Sequence, residues 1–196
     1  NDNRNSLNIN GDTMKILIGF LISLIFLISC SEKEELKKED FQKYSKQGKE
    51  VVMESAKTLK GHLMQSIKTG GVGYSIGFCN EKALFLMDSL SQSLGVEIKR
   101  TSFKIRNPQD NPDELELKAL NTFKNMIDKK EDLHPILKQI NENEMGYYFP
   151  ILIDNPLCLN CHGTLGETID STVYSTIKEF YPNDDATGYK LGDLRG

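Results

Sequence analysis

Apolar residues recur through the first half of the chain at helical spacing. Phe41, Tyr44, Val52, Leu59, Leu63 and Ile67 fall close to one stripe with a period of about 3.6 residues, which predicts a helix from Glu35 to about Lys68. Gly48 and Gly61 weaken that helix locally. The run Gly70-Gly71-Val72-Gly73 breaks the pattern. A second helix is expected from about Ser75 to Leu94, carrying Cys79, Ala83, Leu86, Leu90 and Leu94, with Gly95 closing it. A first helix of such length reads in part as a stalk. Val96 to Ile105 alternates and predicts a strand with Val96, Ile98 and Arg100 on one face. After the loop Asn107-Pro108 to Asn111-Pro112, Asn111 caps a helix with Pro112 at its first position, Asp113 and Glu114 in its first turn, and a buried stripe of Leu115, Ala119, Phe123 and Ile127. A shorter helix is expected over about Leu133 to Ile140, and a strand over Met145 to Ile153 that Pro150 restricts to an edge or an end. Ile169, Val173, Ile177 and Phe180 mark a last helix, stopped by Pro182. Helices and strands come in blocks, not in strict β-α-β alternation, so the fold class is α+β.

The first residues change the picture of where the protein resides. Residues 1–13 are polar, precede the first Met and read as translated upstream sequence, outside the fold. Met14-Lys15 is a short positive segment, and Ile16 to Ile28 is almost wholly apolar, shorter than the ~20 residues of a membrane-spanning helix. Residues 14–29 therefore read as a signal peptide. Leu27-Ile28-Ser29-Cys30 resembles a bacterial lipobox, with Cys30 the lipidated first residue of the mature chain; an uncleaved N-terminal anchor is the alternative. Residues 30–34 read as a solvated tether and 35–196 as one domain. The expected location is the periplasm or cell envelope, held to the membrane through the N-terminal lipid.

Removing the first 29 of 196 residues leaves enough chain for one domain with a core. The removed segment carries as many acidic as basic side chains, so the balance stays at the whole chain's −4. No basic patch or nucleic-acid motif is present, which argues against nucleic acid as a partner.

The most informative local motif is Cys158-Leu159-Asn160-Cys161-His162. It reads as a c-type haem attachment site: each thiol adds to a haem vinyl group and the following His ligates the iron. The bland alternatives are a disulfide, a redox dithiol or half a zinc site. Zinc needs four ligands, usually in two pairs, and neither a second C-x-x-C nor an H-x-x-x-H accompanies it. A thioredoxin-like dithiol normally opens a helix after a strand, whereas this one follows Asn155-Pro156. With Cys30 on lipid and Cys158 and Cys161 on haem, Cys79 is left over. It is either a small buried hydrophobe or the second axial ligand of the iron. His62, His134, Met53, Met64 and Met87 are rival ligands, each with an ordinary structural reading: helix or surface His, core-filling Met. Arg100, Lys104 and Arg106 form a cationic set that suits either haem propionates, through forked bonds, or solvent. Asp184, Asp185 and Thr187 read as a turn.

Four blocks together resemble a known family, the PAS-like single c-type haem domains with Cys/His iron ligation. They are Cys79-Asn80-Glu81-Lys82-Ala83; Arg100 through Pro108 with Asn111-Pro112-Asp113 and Glu116; Tyr148-Phe149-Pro150 leading into Cys158 through Gly163; and Tyr181-Pro182-Asn183-Asp184 with Ala186 through Tyr189 and Gly192 through Gly196. Their order and rough spacing span almost the whole mature chain. Members of that family usually run past the final Arg-Gly into another strand, and this chain stops at Gly196. The resemblance implies a PAS-like antiparallel sheet flanked by helices, with haem against the sheet. It implies Cys79 as the sixth iron ligand beside His162, and it favours Arg100 and Arg106 as propionate partners.

Haem c with its iron is thus the expected cofactor. The expected function is one-electron transfer by an exported, membrane-tethered cytochrome domain of low potential, because thiolate ligation stabilises ferric iron. The redox partner protein is not identifiable from the sequence. The alternative is a haem-based redox or gas sensor acting through a partner protein. An enzyme, such as a peroxidase, is disfavoured because a bound Cys79 closes the iron.

Overall fold

The computed structural model describes residues 37–196. The expectations placed on the upstream segment, the signal peptide, Cys30 and the tether fall outside the described residues. Helix α1 spans Lys38–Leu94 and is broken at Gly71, whose φ of 79° and ψ of −175° are non-helical. Glycine reaches positive φ without the steric cost a Cβ brings. The His62 and Phe78 rings stack with centroids 6.2 Å apart. On one straight helix, sixteen residues would separate them by about 24 Å, so the arms on either side of Gly71 fold back on one another. The break expected at Gly70 to Gly73 is where the chain turns. Gly95, at φ 65°, ends α1, its N–H donating to Ser91 O.

Helix α2 (Glu114–Asp128) starts two residues later than expected. Its cap is Asp113, not Asn111, and Asp113 and Glu116 form a reciprocal capping box. Its buried face is Ala119, Leu120, Phe123 and Met126; Ile127 is exposed instead. Strands β1 (Ile136–Asn141) and β2 (Glu144–Tyr148) pair antiparallel, with Ile136 opposite Tyr148 and a bulge between Gln139 and Asn141. The helix expected over Leu133 to Ile140 is therefore a strand. Residues 151–153 lie beyond Pro150 and outside β2; there Ile151 exchanges backbone hydrogen bonds with Arg195 and Gly196, and Leu152 bridges Leu194. Val96 to Ile105 forms no strand and joins no ladder. It is held instead through side chains, such as Thr101 Oγ1 donating to Asp110 O at 2.8 Å. The α+β expectation holds as mostly helix with a small two-stranded antiparallel sheet, smaller than the flanked sheet the resemblance implies.

Helix α3 (Leu159–His162) is a single turn, and α4 (Ser171–Phe180) is capped by Asp170, whose carboxylate accepts from Thr172 N. The first arm of α1 packs on the hairpin at Gly48, where a Cβ would collide with the Tyr147 ring. Its second arm packs on α4 through Ile76, which joins Ile169, Ile177 and Tyr181 in one core cluster. A second cluster combines Ala119, Phe123 and Met126 with Leu133, Ile136, Tyr148 and Leu194. A third holds Ile153, Ala186 and Tyr189. Phe180, expected in the stripe of α4, remains 39% exposed, and Tyr181 is buried in its place. No helix among the described residues is long and apolar enough to cross a membrane.

Candidate functional site

Asn155 and Pro156 begin the local structure that presents the cysteine pair. Asn155 Oδ1 accepts from Leu157 N at 2.9 Å and caps a 3₁₀ turn, Pro156–Cys158, that runs directly into α3. Helical geometry over Cys158 to Cys161 sets the two side chains one turn apart on one face, with His162 at the end of α3. Gly163 stops the turn; a Cβ there would strike Thr168 Oγ1. Cys158 packs on the Ile153–Ala186–Tyr189 cluster and Cys161 on the Ile76–Ile169–Ile177–Tyr181 cluster. The motif thus sits between two cores, and both of its thiols are free. Burial pushes the Cys161 thiol up to about 11.

His162 is fixed from behind. Its Nδ1 lies 2.7 Å from Ala186 O, and Tyr189 meets its ring edge-on, with centroids 6.2 Å apart. A ring N–H at Nδ1 donating to that carbonyl leaves Nε2 with a free lone pair, the arrangement a ligating imidazole takes. Desolvation, reinforced by the charges of Arg195 and Arg106, lowers His162 to about 3, so the ring is neutral across the physiological range.

Cys79 approaches from the second arm of α1. Burial raises its thiol, while Arg100 and Arg106 pull it down, and a charge on Cys79 is felt at Cys161 and at Tyr181. The fold therefore gathers Cys79, Cys158, Cys161 and His162 in one region. The rivals are elsewhere: His62 is exposed and stacks on Phe78, and His134 is exposed with Nδ1 2.8 Å from Asp132 O. Met53 and Met64 are exposed rather than core-filling, and of these three rival methionines Met87 alone is buried.

The cationic set divides. Arg106 Nε and Nη2 reach the two carboxylate oxygens of Asp184 at 2.9 and 3.3 Å, and Nη2 also donates to Cys161 O at 2.6 Å. Asp184 is completely buried at its side chain. Expected to be a turn residue, it is the counter-ion of Arg106 and also accepts from Ala186 N. Arg106 thereby ties the cysteine motif to the loop that holds His162, and its fork is already filled. Lys104 Nζ donates to Thr187 O at 2.9 Å. Arg100 is exposed and makes no ion pair with the described residues, yet its charge acts on Cys79, His162 and Arg195.

Sequence reading missed Asp184 and Arg195 as members of the site. Both lie in the fourth resemblance block, but their partners are some 80 to 90 residues upstream, beyond any local pattern. The donor set suits a haem: two unbridged thiols one turn apart, a neutral His with one nitrogen engaged and the other open, and a buried Arg195 Nε without a hydrogen-bond partner. No group of three or more His, Cys, Asp or Glu side chains among the described residues converges as on a bare metal ion. A cleft of about 600 Å³ lined by Phe41, Lys46, Lys49, Leu137 and Tyr147 includes none of these residues.

The sequence model of the family described as Tll0287-like matches residues 36–196. Among solved structures, the chain is similar to the cyanobacterial heme-protein Tll0287, at 23% identity and a TM-score of 0.55, over 82% of this chain and 92% of that one. No curated protein matches.

Proposed function

The chain belongs to the Tll0287-like family, and we propose that it is a haem protein, a c-type cytochrome domain with one covalently attached, low-potential haem that transfers electrons. The observation that carries this reading is the state of His162 behind its C-x-x-C pair: neutral, with Nδ1 committed to Ala186 O and Nε2 open. Cys158 and Cys161 would hold the haem covalently, and His162 and Cys79 would ligate its iron. The printed description of the similar cyanobacterial structure as a heme-protein supports the cofactor. When bound, the haem iron supplies a one-electron couple. The chain's own residues position it: Arg106 and Asp184 lock the motif to its loop, the clusters on either side exclude water, and Arg100 moderates the thiol of Cys79. On this reading the fold is a reduced PAS-like haem domain, and the segment ahead of it exports and tethers the protein as an envelope lipoprotein, with catalysis no part of its role.

A second reading, a redox or gas sensor working through a partner, is supported by the placement of Cys79 on the arm that follows the Gly71 break. Loss of that ligand would release one arm of a hinged helix. Carbon monoxide or nitric oxide that binds tightly in one oxidation state and alters the conformation would favour it over plain electron transfer.

Covalent attachment is tested on a denaturing gel of protein made in cells able to mature c-type cytochromes. The parent keeps its haem stain after acid extraction, and the double variant Cys158→Ser/Cys161→Ser loses it. A stain that persists in the double variant would refute the attachment site.

A further inference from the structure

Among the described residues Arg195 is a cation without a counter-ion. Its Nε is sealed from solvent and has no hydrogen-bond partner among them. Its Nη1 donates to Lys104 O at 3.3 Å, and its guanidinium carbon sits 5.5 Å from the centre of the Tyr189 ring. The Nε–Nη2 edge, the side that takes a carboxylate in forked fashion, makes no hydrogen bond with the described residues. Other positive charges crowd it. Lys104 Nζ stands 5.2 Å from the same Tyr189 ring, and Arg100 and Arg106 both repel it. Of the carboxylates nearby, Asp184 is spent on Arg106, and Asp110 acts on Arg195 without pairing with it. A buried charge left in this state is costly unless an anion completes it. The anion must lie near His162, because the Tyr189 ring on which Arg195 sits also meets the His162 ring edge-on, with centroids 6.2 Å apart.

Building on the haem reading, we propose that Arg195 is the carboxylate-binding residue of the haem pocket, its unpartnered Nε–Nη2 edge taking a propionate in forked hydrogen bonds. Lys104 and Arg100 strengthen the positive field around that carboxylate, and Arg106 serves Asp184 instead. The charged and titratable groups around Arg195 are Arg100, Arg106 and Lys104, with Tyr189 and Asp110, and the excess of positive charge would hold a bound propionate ionised.

The test follows the reduction potential of the intact holoprotein from pH 5 to pH 8 in the parent and in Arg195→Gln. The parent potential is expected to be nearly flat. In Arg195→Gln it falls, because a positive charge that disfavours ferric iron is gone, and it becomes pH-dependent as the propionate takes up a proton. Arg195→Lys keeps the charge and loses the fork, so its propionate-bending band in resonance Raman shifts from that of the parent; this second variant decides the matter if Arg195→Gln does not fold. Covalent haem with unchanged potentials in Arg195→Gln, or an unmoved propionate band in Arg195→Lys, overturns the assignment of Arg195 and leaves the haem reading standing. Absence of covalent haem from the parent overturns both.

Discussion

The folded-back helix α1 and the chain from residue 99 onward are ordered by different means. In α1 the backbone supplies the order, and most side-chain hydrogen bonds stay within a turn, as from Ser55 to Val51 O and Thr69 to Gln65 O, with Ser91 Oγ accepting from Ile98 N just past its end as an exception. Large apolar residues such as Met53 and Phe85 remain exposed along it, at 59% and 68%. Beyond residue 99 the elements are short, and side chains reach distant backbone: Arg106 to Cys161 O, Lys104 to Thr187 O, Ser102 to Arg195 O, and Ala186 O to the His162 ring. Irregular backbone has no ladder of its own, so its polar groups are satisfied by such cross-links. The comparison separates two roles. The helix is a scaffold that contributes one candidate ligand, Cys79; the irregular region fixes every other chemistry-bearing atom.

The sharpest way to break that contrast is to cut a cross-link. Asp184→Asn leaves Arg106 buried without its counter-charge and is expected to cost about 3–5 kcal/mol in a urea titration of the haem-free protein. A loss below about 1 kcal/mol would mean that the irregular region is held some other way.

The next effect concerns acid. Folded His162 resists protonation down to about 3, whereas the unfolded residue takes its proton near pH 6.5. A lowered His pKa means that protons favour the unfolded chain. The haem-free protein is therefore fully stabilised above about pH 6.5 and loses stability as pH falls towards 3, by up to a few kcal/mol. The expected readout is a denaturant midpoint that falls less steeply between pH 7 and pH 4 in His162→Gln than in the parent. Parallel slopes would contradict the desolvated, neutral ring.

Within α1 two glycines should respond with opposite sign. Gly71→Ala forces a Cβ into positive φ and costs about 1–2 kcal/mol. Gly61 lies inside the helix with open space where a Cβ would go, so Gly61→Ala stabilises by about 0.5–1 kcal/mol. Thermal unfolding of the two variants would show whether the fold-back at Gly71 is a single-residue hinge. The smallest effect belongs to the exposed Lys57–Glu54 pair, 3.7 Å apart on the same helix: Lys57→Ala should change stability by less than about 0.5 kcal/mol, against several for Asp184.

The same contrast decides what the sequence made legible. Local periodicity found α1, its break and α4, because those elements are specified by residues three and four apart. It misled at Leu133, Ile136, Leu137 and Ile140, which fit helical spacing and yet form β1 and its approach; the turn at Glu142-Asn143 was the overlooked signal. Val96 to Ile105 alternates like a strand, but no ladder forms along it. The cysteine motif was legible because its spacing is its chemistry. Asp184 and Arg195 were not, because a pairing across 78 or 91 residues leaves no trace in either neighbourhood.

Whether helix and irregular region meet over one iron is read most directly from the ferric spectrum of the holoprotein and of Cys79→Ala. If His162 and Cys79 both ligate the iron, the parent shows a low-spin, thiolate-ligated haem, and the variant loses that signature while its haem stays covalently attached. An identical low-spin thiolate spectrum in the variant would contradict the role given to the helix.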